Sequence, residues 1–412
     1  MDLVELRTER IAAGGDAIGH LPDGRVIFVD GALPGELVRV DIVTQRKDHA
    51  KARVVDVVEA SAFRRSPPCP NVARGCGGCS WQHVDDDHQV SLKVDIVIDA
   101  LRRIGRMPDA ASFVVAGAAV PPMSWRTTAR AAVHGASPGF REAEGHRVCV
   151  TGPCMVTHPL VSRIIAEGRF PGAKEILVRT SVATGHTLVV VDGGLKGVRL
   201  PDLEGGLTLL AATDLNREVL GEIHEDVLGT RLRVSARSFF QSGPAAAELL
   251  VTQVRRDLAT MTGDDAPDAL VDLYGGVGLF AALVADGIQN VAVVEDSPTA
   301  VADAKFNLCE GAQVHRSSVE GWTPPRGVRR AKRITVVADP ARAGLGKDGV
   351  ATIAGIAPAR LILVSCDAAA MARDVGLLRE EGYALERSTV MDLFPQTPHV
   401  EVVSVLVPSP SL

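Results

Sequence analysis

Ala269-Leu270-Val271-Asp272-Leu273-Tyr274-Gly275-Gly276-Val277-Gly278 is the stretch that decides the fold. Ala269 to Tyr274 is a short apolar run with strand character. Gly275 to Gly278 is a tight turn, and Leu279 to Ala285 begins a helix. A glycine turn between strand and helix lets the backbone pass close to a nucleotide-like ligand. Working outward, Asn290 to Val294 reads as the next strand and ends at Glu295. Ser297-Pro298 is an N-cap with proline at the first helical position, opening a helix to about Leu308. Thr335 to Ala338 is a strand that runs into Asp339-Pro340-Ala341-Arg342. Leu361 to Ser365 is another, and the helix Met371 to Glu381 stops at Gly382. Val400 to Val407 closes the sheet. This alternation predicts a doubly wound α/β sheet with a right-handed crossover at each step, over residues 233–412.

Two positions give that sheet chemistry. Cys366 ends the strand Leu361 to Ser365, and the C-terminal ends of strands are where such sheets bind ligands. A lone thiol usually serves as a small buried hydrophobe, so a nucleophilic role needs support from the rest of the chain. Glu295 lies 20 residues after Gly275, the spacing of an acidic partner for ribose hydroxyls. With the glycine turn it favours an adenosine cofactor, most simply S-adenosylmethionine.

The remainder divides in two. Residues 1–62 show short strands separated by glycine and proline turns, among them Gly14-Gly15-Asp16-Ala17-Ile18-Gly19 and Leu33-Pro34-Gly35-Glu36, which suggests a small β-barrel. Its ten Lys/Arg against eleven Asp/Glu over residues 1–66 leave it without a basic surface. Residues 63–232 begin with Cys69, Cys76 and Cys79, separated by six residues and then two, with a glycine turn between them. Clustered thiolates of this spacing suit iron–sulfur or zinc. Cys149 and Cys154 are both candidates for a fourth ligand, and Cys154, presented by the Gly152-Pro153 turn, is favoured. Within this part, residues 84–105 read as a helix packing on the catalytic domain, with Val90, Val94, Ile98 and Leu101 on one face. Short strands with turns follow, giving a mixed α+β domain. Trp125-Arg126, Arg130 and Arg141 are candidate phosphate contacts.

Composition sets limits. The chain has 412 residues, room for two or three domains. Its net charge of −6 gives no global attraction to nucleic acid, so an RNA site must be local. The densest basic run, Arg326 to Arg333, reads as a solvated loop. No signal pattern opens the chain, and no apolar run reaches the roughly 20 residues that span a membrane. A cytoplasmic protein is expected, and seven cysteines there argue for metal or catalysis over disulfides.

Taken in order, Phe240-Gln241, Asp272 to Gly278, Glu295, DPARAG at 339–344, VSC at 364–366 and FPQTPHVE at 394–401 resemble the RNA uracil-C5 methyltransferase family, which makes 5-methyluridine. The GGDAIG and LPGE segments resemble a TRAM domain, an OB-like RNA-binding barrel. The cysteine set is similar to that of the iron–sulfur branch acting on 23S ribosomal RNA. The resemblance implies a Rossmann-like class I methyltransferase domain, an N-terminal TRAM barrel and a central mixed α+β iron–sulfur domain. It implies Cys366 as nucleophile on carbon 6 of uracil and Glu401 as the base that removes the carbon-5 hydrogen. Gln241, Tyr274 and Glu295 would hold S-adenosylmethionine, and Asp339 would contact the uracil edge or the methyl donor. A 4Fe-4S cluster would sit on Cys69, Cys76, Cys79 and Cys154. The partner is RNA, ribosomal before transfer RNA, acted on by a monomer. The alternative is an RNA-binding homologue without activity. Four positions depart from the family pattern: Asp367-Ala368 where Asn-Pro is usual, Gly275 where Cys is common, and Leu279 where a small polar residue is found. An ionised Asp367 is expected to raise the pKa of the neighbouring thiol.

Overall fold

A computed structural model describes residues 3–143, 145–217, 221–261 and 266–409. Strands β1 (Val4–Ile11), β2 (Ala17–His20), β3 (Val26–Asp30), β4 (Leu37–Gln45) and β5 (His49–Glu59) close into a barrel in the order β1-β2-β3-β5-β4. Alternation buries Ile27, Val29, Val38 and Val40, and closure leaves no edge strand. Glu36 of the LPGE turn is buried. Its carboxylate accepts from Leu33 N at 2.8 Å and from Arg64 at 2.5 and 2.7 Å, so the turn also fastens the barrel to the next segment.

That segment holds α1 (Pro70–Ala73), α2 (Asp86–Arg103) and β6 (Val114–Ala119). Then β7 (Thr128–His134), β8 (Ser137–Arg141), β9 (Val148–Cys149), β10 (Glu175–Thr180), β11 (Thr187–Val191) and β12 (Leu207–Ala211) form a sheet in the order β12-β11-β10-β7-β8-β9. Helix α3 (Pro159–Glu167) covers it, sharing a core of Val161, Ile164, Ile176 and Val178. The hairpin β13 (Glu222–Val227) and β14 (Thr230–Ser235) leads into the last part.

The last and largest sheet and its helices take α4 (Pro244–Ala259), β15 (Ala269–Leu273), α5 (Leu279–Val284), β16 (Asn290–Glu295), α6 (Pro298–Asn307) and β17 (Gln313–Arg316). It continues through α7 (Arg326–Arg330), β18 (Ile334–Ala338), α8 (Gly346–Ile356), β19 (Arg360–Ser365), α9 (Ala368–Glu380), β20 (Tyr383–Asp392) and β21 (Glu401–Pro408). Strand order is β17-β16-β15-β18-β19-β21-β20-β6. Alternate residues of β15, β18 and β19 enter two cores. Val271, Val336 and Leu361 face one side with α8 and α9; Leu270, Val337 and Ile362 face the other with α4 and α5. Burial on both faces is what makes these strands continuous apolar runs.

Three features depart from the sequence reading. The last step is not a crossover: β21 returns as an antiparallel hairpin from β20 and inserts between β20 and β19. The eighth strand, β6, comes from within residues 63–232 and pairs parallel to β20. And α2 buries a different face, with Val90, Val94 and Ile98 only half-buried while Leu92, Lys93, Ile96, Val97 and Leu101 are covered. Packing of α2 on α9, β20 and β6 turns it this way, because Lys93 finds a buried acid there. Among the described residues no helix is long and apolar enough to cross a membrane.

Candidate active site

Insertion of β21 beside β19 builds the site. Ser365 pairs with Val402 in the antiparallel register, so Cys366, just past the end of β19, lies alongside Glu401, the first residue of β21. Asp339, just past β18, belongs to the same edge. Its Oδ2 accepts from Gln241 Nε2 at 3.1 Å. Four residues from four separate stretches thus meet at the C-terminal ends of β18 and β19, where ligands bind in open α/β sheets.

Burial governs the electrostatics. It pushes the Cys366 thiol up to about 11, and the Glu401 and Asp339 carboxylates add to the rise while Arg342 opposes it. Glu401 is buried and held well above the usual carboxylate range by burial and by Asp339. Asp339 is raised by burial, against the lowering effect of the Gln241 amide. Two carboxyls and a thiol confined together each disfavour ionisation of the others. Asp367 Oδ1 accepts from Ala370 N at 2.8 Å, capping α9.

The cofactor side lies at the end of β15. Glu295 accepts from Gly276 N at 2.9 Å and from Ser297 N at 2.8 Å, one N–H on each oxygen, which leaves lone pairs for hydroxyl donors. Tyr274 has φ 57°, a left-handed conformation for a bulky residue, and its hydroxyl lies 3.4 Å from Glu320 Oε1. Gly275 has no room for a side chain: a Cβ there would lie 2.5 Å from Val293 Cγ1. Leu279 is buried at the start of α5 in the apolar core, so it packs rather than facing a polar ligand. Two residues escaped the sequence reading. Asp272 is fully buried, pushed up to about 7 chiefly by burial, with Oδ2 on Ala281 N and Oδ1 unpartnered. A carboxylate inside an otherwise apolar strand was its visible signal. Phe239 is 69% exposed, two residues before Gln241, and only its aromatic character marked it.

Cys69, Cys76, Cys79 and Cys154 line one small cavity, of about 20 Å³. All seven cysteines are free thiols. Burial raises Cys76, and it pushes Cys79 up to about 12 with Cys154 adding to it, so these sulfurs lie within electrostatic reach of one another. Cys149 is outside the lining but still adds to the rise at Cys76. The Arg126 guanidinium, 4.7 Å over the Trp125 ring, shares the cavity. The four thiols thus share the cavity with one cation, and Asn71 Oδ1 beside them is buried and unpartnered. Among the described residues no set of three or more His, Cys, Asp or Glu is already arranged closely enough to hold a metal ion. Of the other basic candidates, Arg130 pairs with Glu175 and Arg141 donates to His146 O.

A glycine turn after the first parallel strand, an acid after the second and a reactive edge at β18 and β19 define a class I methyltransferase that uses S-adenosylmethionine. Residues 222–408 match the family described as tRNA (Uracil-5-)-methyltransferase, and residues 3–55 match the TRAM domain. The chain is 33% identical over 433 residues to an uncharacterised RNA methyltransferase of Streptomyces avermitilis, covering 98% of each. It is 32% identical over 416 residues to one from Corynebacterium glutamicum, covering 98% of this chain and 97% of that one. The chain belongs to this family of S-adenosylmethionine-dependent RNA uracil-5 methyltransferases. Its fold is that of Pyrococcus abyssi tRNA (uracil-54, C5)-methyltransferase in complex with S-adenosyl-L-homocysteine, at a TM-score of 0.70 and 23% identity over 98% of this chain and 99% of that one.

Proposed function

We propose that this protein methylates carbon 5 of one uridine in RNA through a covalent adduct on Cys366, with Glu401 as the base. The observation that carries this is the adjacency of Cys366 and Glu401 across the β19–β21 register, with Asp339 and Gln241 on the same edge. When bound, S-adenosylmethionine supplies a methyl group on a sulfonium. Carbon 5 of uracil is too weak a nucleophile to take it unaided. Cys366 Sγ, as thiolate, adds to carbon 6 and pushes the electron pair onto an enolate at C5–C4–O4. Asp339 and the Gln241 amide offer hydrogen bonds to the pyrimidine edge where that charge develops. Once carbon 5 carries the methyl group, the Glu401 carboxylate removes its hydrogen. The pair reforms the C5–C6 double bond and expels Sγ. Reaching carbon 6 requires the base to leave its stack or to lie in a loop. Glu295 and Tyr274 bind the cofactor.

We infer that Cys69, Cys76, Cys79 and Cys154 would hold a 4Fe-4S cluster, whose chemistry there is structural: methyl transfer from a sulfonium consumes no electrons. That set favours 23S ribosomal RNA as substrate. Transfer RNA is the second reading, favoured by the family described for residues 222–408. Mapping 5-methyluridine in cellular RNA with and without this gene decides between them. Labelled S-adenosylmethionine and unmodified RNA test the chemistry: Cys366→Ala should abolish methylation while keeping RNA binding, and Glu401→Gln should accumulate a covalent protein–RNA species. Normal turnover by either variant removes that residue from its role. Anaerobically purified protein should be brown, whereas a colourless zinc protein would sink the cluster assignment.

A further inference from the structure

The loop from Asp392 to Val400 carries Glu401 into place, and it is held mainly from outside the catalytic domain. Gln396 is its centre. The residue is fully buried at φ 69°, a backbone conformation that a non-glycine residue adopts only where its surroundings compel it. All four of its polar groups are partnered. Its N–H donates to Gln89 Oε1 at 2.7 Å, and its carbonyl accepts from Trp81 N at 3.0 Å. Its Oε1 accepts from Arg65 Nη2 at 3.1 Å and Gln89 Nε2 at 3.3 Å, while its Nε2 donates to Asp86 Oδ1 at 2.5 Å. Every one of these partners lies between residues 65 and 89.

Two further clamps act on the same loop. Lys93 of α2, fully buried, donates to Asp392 Oδ1 at 2.6 Å and Phe394 O at 3.1 Å. The barrel presses on it too. Gly15 packs so closely that a Cβ there would lie 2.6 Å from Pro398 Cβ, and its carbonyl accepts from Trp81 Nε1 at 3.3 Å. Gln82, next to Trp81, accepts from Cys69 N at 3.0 Å. Barrel, cysteine segment and α2 therefore converge on the turn that precedes Glu401, and none of them contributes a strand to the sheet end that carries Cys366.

We propose that Gln396 is a positioning residue for Glu401, and that the junction around it controls the second half of the reaction, release of the methylated base, independently of cofactor binding and methyl transfer. This rests on reading Glu401 as the base that takes the carbon-5 hydrogen. Gln396→Ala deletes the side-chain contacts from the loop to Arg65, Asp86 and Gln89 Nε2. Gly15→Ala pushes from the barrel on both Pro398 and Trp81 Nε1, at a φ of 97° that strains alanine, and leaves the loop sequence intact. With methyl-labelled S-adenosylmethionine, both variants should form the methylated protein–RNA adduct at the wild-type rate. Both should release it about a hundredfold more slowly, the scale of a misplaced catalytic group. Cofactor affinity should stay within about twofold, a control that reports an intact catalytic domain even if one variant folds poorly. Glu401→Gln is run alongside. If Glu401→Gln accumulates adduct and neither Gln396→Ala nor Gly15→Ala does, the positioning role is overturned and the base assignment stands. Parallel loss of cofactor affinity and adduct formation in both variants also overturns it, since that is a purely structural effect. If Glu401→Gln itself accumulates no adduct, the base assignment fails and this proposal with it.

Discussion

Asp367 Oδ1 accepts the backbone N–H of Ala370 at 2.8 Å, one residue beyond the thiol of Cys366. The carboxylate that looked poorly placed beside a nucleophile is occupied as the N-cap of α9, where the partial positive charge of a helix N-terminus favours it. Asp367→Asn should therefore leave both stability and methylation near wild type, because asparagine caps as well as aspartate does. Asp367→Ala should cost about 1 kcal/mol of stability in thermal or denaturant unfolding. A large gain in methylation rate from Asp367→Asn would show that its charge does burden the thiol.

The pH behaviour of Cys366 follows from its neighbours. Burial, Glu401 and Asp339 all disfavour the thiolate, so iodoacetamide alkylation of the cofactor-free protein should rise with pH toward a midpoint near about 11. Removing a negative neighbour favours the thiolate, so Glu401→Gln or Asp339→Asn should move that midpoint down. Burial is the largest cause and persists in both variants, so the midpoint should stay above that of an ordinary thiol. An upward move would contradict the arrangement.

Gly275 and Val293 test whether the glycine turn fits this chain alone. Gly275→Cys, the residue common in the family pattern, would set Cβ 2.5 Å from Val293 Cγ1. Overpacking of this kind costs about 1–3 kcal/mol. The double variant with Val293→Ala should recover most of that loss in a denaturant series. Equal stability of Gly275→Cys and wild type would mean the turn has slack.

Phe239 stands 69% exposed on the stretch that ends in Gln241. An exposed ring two residues before Gln241 can stack on a base, a contact worth about 1–3 kcal/mol. Phe239→Ala should weaken RNA binding by that amount in a titration and leave thermal stability unchanged. Unaltered RNA affinity would assign Phe239 to the bare surface.

Local signals carried most of what was legible in the sequence. The Gly275 to Gly278 turn, the Ser297-Pro298 cap and the thiol at the end of Leu361 to Ser365 are each contained in a few residues, and all three stand where their pattern put them. What stayed hidden is non-local. Val114 to Ala119 reads as one of the short strands of the central domain, and only pairing with Ser388 to Asp392 makes it an edge of the last sheet. Lys93 reads as the polar face of α2 until Asp392 is found 299 residues away. Gln396 reads as loop polarity, because neither its left-handed backbone nor its saturated hydrogen bonds leave a trace in composition.

The order in which the sheet is assembled carries a cost for synthesis. Strand β21 is made last yet lies inside the sheet, and β6 must wait for β20, which emerges some 270 residues later. During translation the β19 edge stays open, α2 lacks the acid for its buried lysine, and the barrel turn has no loop to press on. Such long-range closure is slow and exposes unpaired edges. Cys366, the proposed nucleophile, is therefore synthesised before Glu401, its proposed base, and the two come together only when β21 inserts beside β19.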